Sequence, residues 1–125
     1  MTREPQISDE KAVHWVGSAK RDFMRLPAAV RSAMGYALGV AQYGGKHPSA
    51  KPWKGEGAGI FEIVEDYAGD TYRALYTVRF ADAIYVLHAF QKKSPSGRRT
   101  AQLDVALVRE RLKRAREDYE GRIKK

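Results

Sequence analysis

The chain has 125 residues, 43% of them hydrophobic, which is enough for one domain with a real core. Its formal net charge is +8, and it contains no cysteine, which excludes a disulfide framework and a thiolate metal site. No apolar run approaches the length of a membrane span and the N-terminus lacks a signal-peptide pattern, so the expectation is a soluble, cytoplasmic protein.

Residues 1–10 are polar and expected to be loose. Ala12 to Val16 form a short apolar run ended by Gly17, the pattern of a strand. Ser18 is placed to cap a short helix over 19–25, its hydroxyl accepting from orphan amides of the first turn. Pro27 suits the first turn of a second helix. Over 28–43, Val30, Met34, Ala37, Leu38 and Ala41 recur at helical spacing, with Arg31, Ser32, Gly35 and Gln42 mostly opposite. The two helices are expected to form a hairpin over one face of a sheet.

Residues 44–57 are dense in glycine and proline and are expected to be a loop. The loop carries Lys46, His47, Lys51, Trp53 and Lys54. Basic residues beside an aromatic can grip phosphates and stack a base. Trp53 reads better as an anchor of the loop on the core. For Lys54 both readings stand.

Residues 58–93 read as three consecutive antiparallel strands, each short, rich in β-branched and aromatic residues, and bounded by turns. In the middle strand Tyr72, Ala74, Tyr76, Val78 and Phe80 share one face, built for a core. Arg73, Leu75, Thr77 and Arg79 share the other, expected to be partly wet. A hairpin about residues 81–83 would put Arg73 and His88 near the same level. Residues 94–99 read as a loop. Thr100 is placed to cap a last helix running to about residue 120, with Val105, Val108, Leu112, Ala115 and Tyr119 as its apolar stripe. Lys113 with Glu117 and Arg114 with Asp118 are expected to pair on its exposed side.

Charge is uneven. Residues 91–125 hold 12 Lys and Arg against 5 Asp and Glu, a net of +7, and residues 1–90 a net of +1. A localised basic region fits nucleic acid or another anionic partner. His14, His47 and His88 show no metal spacing, and no Gly-rich phosphate motif precedes a helix, so neither a metal nor a cofactor is expected. Metal-free RNA cleavage needs a proton acceptor for the 2′-hydroxyl, charge stabilisation at phosphorus, and a proton for the leaving 5′-oxygen. Histidine exchanges protons near neutral pH. Arginine holds phosphate oxygens in a fork, and lysine adds a point charge. Glu62 is a candidate base with His88 as the acid, or a group that orients Arg73.

Four segments together carry a resemblance: Lys-Pro-Trp-Lys-Gly from Lys51, Ile-Phe-Glu-Ile-Val-Glu from Ile60, Asp-Thr-Tyr-Arg-Ala-Leu-Tyr from Asp70, and Tyr-Val-Leu-His-Ala-Phe-Gln-Lys-Lys-Ser from Tyr85. Over about residues 12–119 the chain resembles the toxin component of bacterial type II toxin–antitoxin systems, in the RelE/HigB superfamily and its phage-derived branch. The resemblance implies a single α+β domain over 1–125: a small antiparallel sheet of about four strands, an N-terminal helical hairpin and a C-terminal helix. It implies an endoribonuclease that cleaves mRNA at the ribosome, and a cognate helix-turn-helix antitoxin. Arg73 falls on the family's strand arginine, which contacts the scissile phosphate. Lys92 or Lys93 falls on its basic strand end, and His88 fits the branch pattern. The chain departs from the best-studied enzymes in having Glu62 on the strand where they carry lysines, and no tyrosine after the basic end until Tyr119. The expected catalytic set is Arg73, His88, Lys93 and Glu62. The expected RNA-binding set is Lys51, Lys54, Lys92, Arg98 and Arg99. A non-enzymatic, ParE-like inhibitor of DNA gyrase on the same scaffold is the alternative.

Binding through phosphates has a measurable signature. Affinity for RNA should fall steeply with salt as counterions are released, and removing charge at Lys92 or Arg98 should weaken all sequences alike and flatten the slope. A salt-independent affinity in a filter-binding series would contradict a phosphate-gripping surface.

Overall fold

The computed structural model describes residues 10–55, 59–92 and 98–124. In chain order the elements are β1 (Ala12–Trp15), α1 (Ala19–Met24), α2 (Ala28–Gln42), β2 (Ala50–Pro52), β3 (Ile60–Tyr67), β4 (Asp70–Thr77), β5 (Ala83–Gln91) and α3 (Arg98–Ile123). The fold is α+β. One sheet runs β1-β5-β4-β3-β2, with helices on both faces.

The sheet corrects two expectations. It has five strands rather than four among the described residues, because Ala50–Pro52, expected within a loop, pairs antiparallel with Phe61–Ile63 of β3. It is mixed rather than antiparallel, because β1 lies parallel to β5, with Ala12 opposite Ala83 and Trp15 opposite Val86. An apolar run shows where a strand is and says nothing about its direction. The long excursion through α1, α2, β2, β3 and β4 supplies the crossover that a parallel pair requires.

β3 and β4 form a hairpin whose two-residue loop is Ala68-Gly69. Both residues have positive φ, 52° and 85°. That is the twist-matching turn of two-residue hairpins, and glycine adopts it without a Cβ penalty. Between β4 and β5 the register slips once: Leu75 faces His88, but Tyr76 faces Val86. Leu87 is therefore a bulge.

One face of the sheet packs Tyr72, Ala74, Tyr76, Ile84, Val86 and Ala89 against Phe23 of α1 and Val30, Met34, Ala37, Leu38 and Ala41 of α2. The other packs Ile60, Leu75, Tyr85 and Leu87 against Val108, Leu112 and Ala115 of α3. The face expected to be wet is thus largely dry: α3 lays its apolar stripe across it, leaving Leu75 and Thr77 buried. Phe80 packs on this side too, stacked on Tyr119, and not with Tyr72 and Tyr76, because β4 ends at Thr77. Trp53 packs against the α3-side cluster, as the loop anchor it was read to be.

Helix ends differ from expectation for identifiable reasons. Pro27 is the residue before the first turn of α2, extended at φ −55° and ψ 147°. Thr100 lies inside α3, whose first turn begins at Arg98, so Arg98 and Arg99 belong to the helix. Ser18 precedes α1 without capping it, since its hydroxyl donates to the Asp22 carboxylate at 2.7 Å. Asp118 is held by Arg122 at 2.7 Å and by the Tyr85 hydroxyl at 2.6 Å, which replaces the expected pairing with Arg114. Among the described residues no helix is long and apolar enough to cross a membrane.

Met34 is fully buried where α2 meets the sheet. Met34→Ala should cost about 2–5 kcal/mol of stability, read from urea unfolding midpoints at an unchanged slope. A loss within experimental error would mean that α2 does not carry the core on that face.

Candidate active site

The site grows from the alternation of β3 and β4. Even-numbered Glu62 on β3 and odd-numbered Arg73 and Leu75 on β4 face α3, as the pairing of Glu62 with Leu75 and of Val64 with Arg73 requires. Glu62 and Arg73 are diagonal neighbours, and an Arg73 N–H donates to Glu62 Oε2 at 2.7 Å. On the other side of Glu62, its strand partner Lys51 brings Nζ to 3.7 Å from Oε1. Glu62 is only 8% exposed, so its carboxylate needs these partners. Arg73 is part-buried and spends one donor on Glu62. Guanidinium has five N–H groups in a rigid fork, so donors remain for a phosphate.

His88 continues this row one strand further, opposite Leu75 and diagonal to Arg73, whose direct partner is Phe90. Arg73 and His88 are therefore two residues off level, on the same face of adjoining strands. The imidazole stacks on Phe90 with ring centres 4.4 Å apart. Its Nε2 lies 3.2 Å from Asp104 Oδ1 on α3. A carboxylate only accepts, so Nε2 carries the proton and Nδ1 the lone pair. Nδ1 is buried, with no hydrogen-bond partner among the described residues. Burial is the main influence on this group and pushes its pKa below the ordinary 6.5; Asp104 opposes that shift and Arg111 adds to it.

The expected site residues divide into three sets. Glu62, Arg73 and Lys51 are joined by ion pairs, and His88 lies on the same face beside them. Lys54 and Lys92 are exposed, Lys54 after β2 and Lys92 at the end of β5, where its N–H still bonds to the Thr71 carbonyl. Lys93 and the side chains of Arg98 and Arg99 lie outside the described residues. Lys51, expected on a loop, is a strand residue.

The sequence reading missed Asp104, Arg111 and Asp22. Arg111 is 8% exposed, one step from Leu112 and three from Val108. A charge on an apolar helical stripe was the available signal. Elsewhere, a groove of about 400 Å³ between β1 and α3 is lined by His14, Tyr85, Arg114, Asp118 and Arg122 among others. Asp118 and Arg122 there pair with each other, and burial with the Asp118 hydrogen bond pushes the Tyr85 hydroxyl up to about 12. Among the described residues no group of three or more His, Asp or Glu is placed to hold a metal ion.

His88 makes stability pH-dependent in one direction. Its folded pKa is lowered, so below 6.5 the unfolded chain takes up a proton that the folded protein resists. The contribution is complete above 6.5 and is lost as pH falls toward the folded pKa. His14 is lowered too and acts with the same sign. The loss of stability between about pH 7.5 and about pH 5, measured by urea unfolding, should therefore be smaller in His88→Asn than in the wild type. An equal loss in both proteins would refute a buried, neutral His88.

A family model described as Phage derived protein Gp49-like (DUF891) matches residues 21–113. The match runs from α1 through all of β2 to β5 and into α3, and so includes Glu62, Arg73, His88 and Arg111. Among solved structures, the chain is similar to one from the toxin–antitoxin complex RelBE2 of Mycobacterium tuberculosis, at 24% identity and a TM-score of 0.47, over 66% of this chain and 99% of that one. The comparison with curated proteins returns no match. With three quarters of its length, the whole candidate site included, inside one family model, this chain belongs to the phage-derived Gp49-like family.

Proposed function

We propose that the protein is the toxin of a type II toxin–antitoxin pair, and that it acts as a metal-independent endoribonuclease on mRNA at the ribosome. The observation that carries this reading is the placement of Arg73, held by Glu62 at 2.7 Å, on the same sheet face as His88. A fork for phosphate oxygens beside a group that exchanges protons supplies two of the three things that phosphoester cleavage without a metal needs, charge stabilisation and a proton acceptor. The sequence resemblance to RelE/HigB toxins points the same way, and the surplus positive charge of the C-terminal third suits both RNA and an acidic antitoxin surface.

In this reading the 2′-oxygen bonds to phosphorus as the bond to the 5′-oxygen breaks. Neutral His88, its buried Nδ1 uncovered as RNA binds, takes the 2′-proton, and solvent water protonates the departing 5′-oxygen. Arg73, part-buried and with donors beyond the one spent on Glu62, stabilises the charge that builds on the phosphate. Glu62 is already engaged by Arg73 and Lys51, so it serves to orient the guanidinium. Lys54, Lys92, Lys93, Arg98 and Arg99 hold the RNA backbone, and Lys93 supplies charge near the leaving group. The partner is a cognate antitoxin, expected to be a helix-turn-helix protein encoded beside this chain.

The test is cell-free translation with purified protein, followed by primer extension on the mRNA. New 5′ ends within codons are expected with the wild type. Arg73→Ala should lower the cleavage rate by about 10²–10³, and Arg73→Lys should fail largely as well, because a point charge does not replace the fork. Arg73→Ala also strips Glu62 of its closest partner, so the variant is compared with Arg73→Ala/Glu62→Gln to separate lost charge balance from lost chemistry. A folded Arg73→Ala that cleaves at the wild-type rate removes Arg73 from the site. Intact mRNA with inhibited DNA supercoiling would establish a gyrase inhibitor instead.

A further inference from the structure

Leu87 breaks the pairing of β4 with β5: Leu75 faces His88 and Tyr76 faces Val86, leaving Leu87 without a partner across the ladder. The extra residue changes the alternation. Tyr85 and Leu87 pack on the α3 side, and the very next residue, His88, also faces α3 and Asp104. Beyond it Ala89 packs with α1 and α2, and Phe90 with α3. An unbroken alternation would turn His88 to the α1–α2 side, away from Arg73. The bulge is what aims the imidazole.

A bulge leaves backbone groups outside the ladder, and here one of them has a dedicated partner. Arg111 Nη1 donates to the Leu87 carbonyl at 2.9 Å. Nη2 of the same guanidinium donates to the Ser18 hydroxyl at 2.8 Å, and Ser18 in turn donates to Asp22 at 2.7 Å. Gly17, with φ +57°, gives the guanidinium its space, since a Cβ there would stand 3.1 Å from Nε. A buried guanidinium with no ion pair to a carboxylate among the described residues is costly, and the Leu87 carbonyl, the Gly17 turn and Ser18 are all placed around this one.

We propose that Arg111 is a positioning residue for His88: it clamps the Leu87 bulge and so holds the imidazole on the α3 face, beside Asp104 and on the side of Arg73. The charged groups that face His88 are Asp104 and Arg111 from α3 and Asp22 from α1, with Arg73 diagonal to it on β4; its direct neighbour Leu75 is uncharged. Losing Arg111 removes a positive neighbour and frees the bulge, and both changes let His88 protonate more readily. The consequence for catalysis rests on the ribonuclease reading, whereas the position of the imidazole does not.

The experiment is an NMR titration of the His88 imidazole in full-length wild type, Arg111→Met and Arg111→Lys, together with kcat and KM for mRNA cleavage. In Arg111→Met the His88 pKa should rise, its ring resonances should move, and kcat should fall about a hundredfold with KM little changed, as a displaced catalytic group predicts. Arg111→Lys keeps the charge and one donor and should fall between. If Arg111→Met does not fold, Ser18→Ala removes one anchor of the guanidinium and should move the same quantities in the same direction by less. A folded Arg111→Met, or failing that a folded Ser18→Ala, with unchanged His88 titration and resonances overturns the proposal. A shifted His88 titration in a protein whose wild type cleaves no RNA upholds the clamp and defeats the ribonuclease reading alone.

Discussion

Strand β5 has a neighbour on each edge, β1 and β4, and a helical layer on each face. Such a strand has to be apolar on both sides, and Ile84, Tyr85, Val86 and Leu87 are four consecutive buried residues that meet this demand. The rest of the molecule adapts to it. α1 and α2 cover one face, α3 the other, and β1 returns across the molecule to close the open edge. Anything polar on β5 then needs a partner brought from elsewhere. The Leu87 carbonyl is met by Arg111, and His88 by Asp104, both reaching down from α3.

The same crowding sets the chemistry of the face that β3, β4 and β5 share. Near the β2 edge the ion pairs are part-exposed, and Lys51 is the most accessible member of its cluster. Toward β5 the surroundings dry out, and burial outweighs a nearby carboxylate in holding His88 neutral. One row of residues thus passes from a screened, charged environment to one in which protonation is resisted. Groups with different proton affinities arise from one sheet face simply by their distance from solvent.

What was legible in the sequence was whatever a single local rule decides. The three-and-four spacing of Val30, Met34, Leu38 and Ala41 makes α2, and the stripe of Val108, Leu112 and Ala115 makes α3. The alternation of β4 put Arg73 and Leu75 on one face. Other features depend on tertiary partners. β2 is three residues ending in proline inside a glycine-rich stretch, and only the edge of β3 makes it a strand. The wet face was misjudged because a helical stripe does not say which surface it will cover. The bulge leaves no mark in Tyr-Val-Leu-His-Ala-Phe, where plain alternation reads equally well, so a shared face for Arg73 and His88 does not follow from the local pattern. The candidate site was legible as residue types, through Glu62, Arg73 and His88, and illegible in its support, since Asp104 and Arg111 act across 16 and 24 positions of sequence.

The parallel contact between β1 and β5 bears on the order in which the protein is made. Residues 12–15 leave the ribosome first, yet their strand partner spans 83–86 and emerges some seventy residues later. β1 therefore has no sheet to join while α1, α2, β3 and β4 are being synthesised, and β4 waits with an unpaired edge until the same strand appears. Both core clusters include residues of β5, the last strand to be made, so neither helical layer has its full packing surface until that strand appears. A fold assembled around β5 cannot form from a fragment that lacks this strand, so β1, β4 and the helices that pack on it stay uncommitted until residues 83–91 have been made.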